Sequence, residues 1–156
     1  MSNEPARNVF SEIILASDHA GFERKKFLHD ALASQGIAAL DAGPTYFDPA
    51  DDYPLTIRAA IPYLLERPHA CAILIGKSGQ GEAMVANRFP GVRAAVYAGG
   101  GVERVQLARE HNDANVLSLG AGFVDNDEAL NAVHSFIHTP ASTDARHVRR
   151  RALIDA

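Results

Sequence analysis

Three short polar segments carry the residue types that proton transfer and anion binding require. They are Ser17-Asp18-His19-Ala20-Gly21, Gly76-Lys77-Ser78-Gly79-Gln80-Gly81-Glu82 and Glu110-His111-Asn112-Asp113-Ala114-Asn115. Backbone amides of a glycine loop that feeds a helix hold a phosphate, a carboxylate or a transient oxyanion. The same glycines also suit a plain strand-to-helix turn. Glu82, in the first turn of the following helix, reads as a general base beside that cradle, or as a carboxylate that complements the helix dipole. Asp18, His19 and His111 sit where strands begin or end. Taken together, the three segments are expected to meet in one crevice at the ends of parallel strands.

Nucleotide chemistry does not fit the spacing. A phosphate-binding P-loop ending in Gly76-Lys77-Ser78 needs a glycine at position 71, where Cys71 stands. A dinucleotide fingerprint fails because the first strand is followed by a single glycine, Gly21. His134 and His138 have the i, i+4 spacing of a metal pair, but they lack the glutamate of a zincin motif and flank the buried side marked by Phe136 and Ile137. No metal and no redox cofactor is expected.

Alternating β-branched and amphipathic segments must position these residues. Strands are expected at Glu12 to Ala16, Ile37 to Asp41, Ala70 to Ile75, Arg93 to Tyr97 and Asn115 to Leu119, nearly all apolar as buried parallel strands are. Helices are expected from Phe22 to Gln35, from Pro54 with an interruption or kink at Pro62, from Gln80 to Arg88, after Gly99-Gly100-Gly101, from Asp125 with a capping box to Glu128, and from Thr143 to Ile154. This order predicts an α/β fold, a single Rossmann-like three-layer αβα sandwich with a five-stranded parallel sheet. One domain over residues 1–156 is expected, with residues 1–11 as an N-terminal extension. The last helix is basic and poor in apolar positions, so residues 143–154 are expected to pack on a partner subunit. The segment from Ala42 to Tyr53 is long enough to be functional, and Tyr46 with Asp51 or Asp52 is expected to reach the crevice.

Composition narrows the partners. The chain has 156 residues, 47% of them apolar, and a net charge of −4, so no global basic field invites nucleic acid or an anionic membrane. No apolar run approaches the roughly 18 residues that span a bilayer, and the start lacks the apolar stretch of a signal peptide, so a cytoplasmic protein is expected. The one cysteine, Cys71, lies inside an apolar run and reads as a small hydrophobe. Arg146 and Arg150 share a helix face and can clamp a phosphate together.

With these segments in view, the chain resembles the type B ribose-5-phosphate isomerases, the family that includes the galactose-6-phosphate isomerase subunits. The resemblance runs from about Ile13 to Ile154. It rests on Ser-Asp-His-Ala-Gly at 17–21, Asp-Tyr-Pro at 52–54, Ser-Gly-Gln-Gly-Glu at 78–82, Ala-Asn-Arg-Phe-Pro-Gly-Val-Arg-Ala at 86–94, Ala-Arg-Glu-His-Asn at 108–112 and Arg-His-Val-Arg-Arg at 146–150.

The resemblance implies an aldose–ketose isomerase, most simply of ribose 5-phosphate and ribulose 5-phosphate, working through an enediolate. One branch of the family has a cysteine base where this chain has Gly76, whereas Glu82 matches the glutamate base of the other. The resemblance further implies that His111 opens the sugar ring and Asn112 contacts the sugar. It makes Ser78 with the amides of Gly79, Gln80 and Gly81 the anion cradle, and His19, Arg146 and Arg150 the phosphate ligands. Asp18, from its place after the first strand, and Tyr46, from the long loop, are expected to bind substrate as well. It implies a homodimer or dimer of dimers with sites between subunits. Two positions depart from the family pattern. Lys77 replaces a usual glycine, and Gly122 replaces an arginine that helps hold phosphate. Isomerisation of another aldose, phosphorylated or not, and a non-catalytic sugar-phosphate-binding subunit remain alternatives.

Overall fold

Successive side chains of a strand point to opposite sides of its sheet, so strands that are apolar at every position need a cover on both faces. That requirement organises the computed structural model, which describes residues 8–156. The strands are β1 (Glu12–Ser17), β2 (Ala39–Asp41), β3 (Ala70–Gly76), β4 (Ala94–Tyr97) and β5 (Val116–Gly120). The helices are α1 (Phe22–Ser34), α2 (Tyr53–Leu65), α3 (Gln80–Ala86), α4 (Glu103–Asn112), α5 (Asn126–His138) and α6 (Ala145–Ile154). All strand pairs are parallel, in the order β2-β1-β3-β5-β4.

Ile13, Leu15, Cys71, Ile73, Ile75, Leu117 and Leu119 face α1, α4 and α5, where Leu28, Leu32, Val105, Val133 and Phe136 complete one core. Ile14, Ala16, Ala72, Leu74 and Val116 face α2 and α3 and meet Ile57, Ile61, Leu64 and Ala86 in a second. The three-layer sandwich is therefore the expected one. The chain runs outward to β2 on one side of β1 and to β3 on the other, which opens a crevice between the loops that follow β1 and β3. Among the described residues no helix is long and apolar enough to cross a membrane.

Local chemistry explains most element ends. Asp125 accepts from the Glu128 amide at 2.8 Å and starts α5, and Asp144 accepts from the Arg146 amide and starts α6. The helix α2 continues through Pro62 to Leu65, so the expected interruption is absent. Pro62 lies on the exposed side of α2, as does Arg58, whose carbonyl loses its helical partner there and is left to water. The helix α3 stops at Ala86 because Asn87 leaves it to pair with both backbone groups of Ala94, at 2.8 and 3.1 Å. The conspicuous Asn-Arg-Phe-Pro segment thus builds the start of edge strand β4. Residues 1–7 of the expected extension lie outside the described residues, but Val9 donates to the Ile137 carbonyl and Phe10 stacks on Phe136 at 5.7 Å. That part is tied to α5.

Packing against backbone at the strand ends is tightest at Gly21, which closes the 3-10 turn His19–Gly21 after β1. A β-carbon there would stand 2.2 Å from the Ile75 carbonyl oxygen. Gly21→Ala is therefore expected to destabilise the fold by about 1–3 kcal/mol, read as a lower urea midpoint at unchanged m-value.

Candidate active site

The crevice side of β1 and β3 gathers two of the three polar segments. Strand β3 ends at Gly76, the loop turns through Gly79 in a left-handed conformation (φ 78°), and α3 begins at Gln80. The loop is pinned from β5: Ser118 Oγ donates to the Gly79 carbonyl at 2.6 Å, and the amides of Ala121 and Gly122 donate to the carbonyls of Gly76 and Lys77. Ser78 Oγ accepts from the Gln80 amide at 3.3 Å. Tyr53, at the start of α2, lies against Gly81, where a β-carbon would come 2.6 Å from its ring. These contacts leave the loop little freedom.

Glu82 is turned back over the end of β3. It is 4% exposed, and a β-carbon on Gly76 would lie 2.0 Å from its Oε1 and 2.6 Å from its Oε2. The carboxylate thus occupies the space that any side chain at position 76 would take. A cysteine at 76 and a glutamate in this pose at 82 exclude one another. Burial raises the Glu82 pKa, the negative charge of nearby Asp18 raises it further, and a hydrogen bond to the backbone partly offsets both. A raised carboxylate pKa is what a base that must both take and return a proton needs near neutrality.

Asp18 and His19 reach the same place from β1. The Asp18 amide donates to the Ile75 carbonyl and its carboxylate accepts from Gly21. His19 Nδ1 stands 2.6 Å from Asp51 Oδ1, and the aspartate raises its pKa above the ordinary 6.5. Asp18, His19 and Asp51 place one ligand atom each within 4.8 Å of one another, the one grouping among the described residues with the donors for a cation. Buried polar atoms are rarely left unpaired. Two of the three found among the described residues are Ser17 Oγ and Asp51 Oδ2, both at this end of the sheet.

The third segment lies elsewhere, which corrects the expectation of a single crevice. Helix α4 runs back from the end of β4 to the start of β5, so His111 and Asn112 sit at the opposite edge. Asn115 is hydrogen-bonded level with Ala72 at the start of β3, whereas Gly76 pairs with Gly120. The four residue steps from Val116 to Gly120 put the two edges about 13 Å apart. There His111 stacks on the buried His147 of α6, centroids 4.2 Å apart and planes 11° apart. Burial and the neighbouring His111 lower the His147 pKa. Arg146 and Arg150 are exposed on the same helix. One chain therefore carries the two groups of candidate residues at opposite ends of its strands.

Charged residues that the sequence reading did not single out support both halves. Arg109, 1% exposed, donates to Asp113, Ala114 and Thr139 and lies over the Phe10 ring. Together with Arg93, which reaches the Asn112 and Asp113 carbonyls, it fixes the end of α4 that presents His111. Lys25, 2% exposed, bonds Asp41 and the Pro44 carbonyl and anchors the loop carrying Asp51. Tyr46 stands 69% exposed, while its neighbour Phe47 meets the edges of Phe22 and His19. Gly122 is spanned by the Lys77 stem, whose Cε would lie 2.8 Å from a β-carbon there.

A doubly wound parallel sheet with a buried carboxylate beneath a glycine loop defines a class: α/β proteins that bind small anionic ligands at strand ends. The particular family follows from comparison. The family model described as Ribose/Galactose Isomerase matches residues 13–154, and the chain belongs to that family. It is 41% identical over 138 residues to ribose-5-phosphate isomerase B of Mycolicibacterium paratuberculosis, covering 88% of this chain and 86% of the relative. The structure of a ribose 5-phosphate isomerase from Thermotoga maritima superimposes with TM-score 0.85 at 35% identity, over 93% of this chain and 97% of that one. The Mycoplasma genitalium ribose-5-phosphate isomerase B with bound ribulose-5-phosphate gives TM-score 0.85 at 34% identity, over 92% and 93%.

The Glu82 environment predicts a pH effect with a definite sign. Asp18 raises the Glu82 pKa, so Asp18→Asn removes a negative charge and lowers it. The acid limb of the kcat/KM profile is expected to move to lower pH in the variant, whatever happens to the maximal rate. A limb that stays put or moves up assigns that ionisation to another group.

Proposed function

We propose that this protein interconverts ribose 5-phosphate and ribulose 5-phosphate, in the cytoplasm, with each active site built from two copies of the chain. The carrying observation is the buried Glu82 carboxylate, its pKa raised, held over Gly76 beside the glycine loop. Glu82 takes the proton from C2 of the open-chain aldose. The electron pair moves into the C1–C2 bond and the carbonyl oxygen becomes an enediolate oxygen, stabilised by Ser78 and the amides of residues 79–81. Glu82 then returns the proton to C1 while the C2 hydroxyl proton passes to the C1 oxygen, so that C2 becomes the carbonyl carbon and C1 carries the hydroxyl of the ketose. His111 of a second copy opens the sugar ring and Asn112 beside it contacts the sugar. Asp18 and Tyr46 face the sugar, and His19 with Arg146 and Arg150 holds the phosphate. Atoms and electrons balance with no metal and no redox cofactor.

Two features support assembly from two copies. The residues assigned to one reaction lie at opposite edges of one sheet. Apolar side chains rim both half-sites: Leu55 and Met84 beside Glu82, and Val148, Leu153 and Ile154 near His111, are all exposed in the single chain. A two-fold interface presents the same patches from both copies and completes two sites at once.

Complementation tests the arrangement. Glu82→Gln and His111→Ala are each expected to lose isomerase activity alone. Mixed subunits place both defects in one site and leave the other intact, so co-refolding equal amounts is expected to restore about a quarter of the wild-type rate. No recovery in mixed dimers places both residues in a site within one chain. A wild-type protein that isomerises no aldose in a coupled assay sinks the catalytic reading itself.

A second reading concerns the sugar. The Lys77 stem over Gly122 puts an ammonium group where the family pattern has a guanidinium, and we infer that Lys77 serves the phosphate. Lys77→Ala is expected to raise KM for ribose 5-phosphate about tenfold with kcat nearly unchanged. A change of preferred aldose instead makes Lys77 a selector of sugar length.

A further inference from the structure

The loop between β2 and α2 lowers one acidic side chain onto His19. Asp51 Oδ1 is 2.6 Å from His19 Nδ1, and the aspartate side chain is 10% exposed against 39% for the histidine. Its other oxygen, Oδ2, is buried without a partner. A carboxylate held in that way is costly unless a cation faces it. The contact also fixes the imidazole: Nδ1 carries its hydrogen toward Asp51, and Nε2 is left to a ligand. The ring plane is set as well, since Phe47 meets His19 at 6.5 Å with planes at 78° and is itself backed by Phe22.

We propose that Asp51 is a positioning residue that holds His19 as an oriented imidazolium, so that Nε2–H donates to the phosphate of the sugar phosphate and favours phosphorylated over unphosphorylated substrates. This deepens the isomerase reading above and rests on it. Within one chain the charged groups acting on His19 are Asp18 on its own turn and Asp48 and Asp51 on the loop above, all acidic, and the proposed second copy adds Arg146 and Arg150 across the phosphate. The largest influence is the hydrogen bond from Asp51, opposed by partial burial. Because the folded pKa is raised above 6.5, the cation persists to higher pH than that of an ordinary histidine and is lost only above the raised value. An amide at position 51 keeps the shape and removes the charge. His19 then loses its proton nearer the ordinary value, and phosphate binding weakens first at high pH.

The experiment compares wild type, Asp51→Asn, Asp51→Glu, His19→Gln and the Asp51→Asn/His19→Gln pair. KM and kcat for ribose 5-phosphate, and competitive inhibition by inorganic phosphate, are measured from about pH 6 to about pH 8.5. Asp51→Asn is expected to raise KM and the phosphate inhibition constant about tenfold at the upper end and less than about threefold at the lower, with kcat within about twofold. Asp51→Glu is expected to recover part of the loss, and the double variant to equal His19→Gln alone. A pH-independent rise in KM, a fall in kcat at constant KM, or additive losses in the double variant overturns the proposal. NMR titration of His19 in the wild-type protein reads the same inference without a variant, and a pKa at or below 6.5 rejects it. Wild-type inactivity toward ribose 5-phosphate is a failure of the isomerase reading. In that event, calorimetric binding of inorganic phosphate to wild type and Asp51→Asn still decides the role of Asp51, equal affinity at high pH rejecting it.

Discussion

The close approach of the Glu82 carboxylate to the Gly76 backbone is the contact on which the rest of the site depends. A side chain at position 76 would share space with Oε1, so the last residue of β3 has to be glycine. Because the carboxylate lies inward, its helix must start at once, and the left-handed turn at Gly79 provides that start. The turn is then fixed from outside by Ser118 and Tyr53. Burial pushes the carboxyl toward its protonated form, and Asp18 pushes it further, so the neighbours that hold the base also set its proton affinity.

Helix direction accounts for the division into two half-sites. In a parallel sheet every crossover helix runs back against the strands, so residues at the end of a helix and residues at the end of a strand lie on opposite edges. Glu82 and Asp18 follow strands. His111 and Asn112 end a helix, and α6 packs behind them. No loop rearrangement of a few residues spans the sheet between them. The proposed second copy would bring the two edges together with the fold unchanged.

Much of this architecture was legible in the sequence because it rests on local rules. Short, nearly all-apolar runs marked the five strands, and Asp125 with Glu128 marked the start of α5. Other features were not legible because they are tertiary. Arg109 and Lys25 look like surface cations in a string of letters, and only the fold shows each replacing water with carbonyls, a carboxylate and an aromatic face. Asn87 stood out only as part of a family motif and is a clamp on an edge strand. His111 was misplaced for another reason: its type and position beside β5 were read correctly, but the entrance to a strand and its exit were not distinguished. That signal was present, since β5 follows His111 whereas β1 and β3 precede the other two segments.

Charge distribution gives the two edges a reason to meet. The Glu82 edge collects Asp18, Asp48, Asp51 and Glu82 around a place proposed for a dianionic phosphate, with His19 and Lys77 as its cations. Such an edge alone repels its ligand. The other edge carries Arg146, Arg149, Arg150 and Arg151 on a helix whose arginine heads are mostly exposed. Complementary fields of this kind guide two surfaces into one orientation and disfavour others, and they are weakened by salt. In the proposed two-copy site the acidic half would orient Glu82 and the basic half would supply the charge that the phosphate needs, a division that keeps guanidinium groups away from the carboxylate. Arginines beside Glu82 in every state would lower its pKa and weaken it as a base. Arginines delivered by a second copy, as proposed, would hold the phosphate and leave the carboxyl in its desolvated setting.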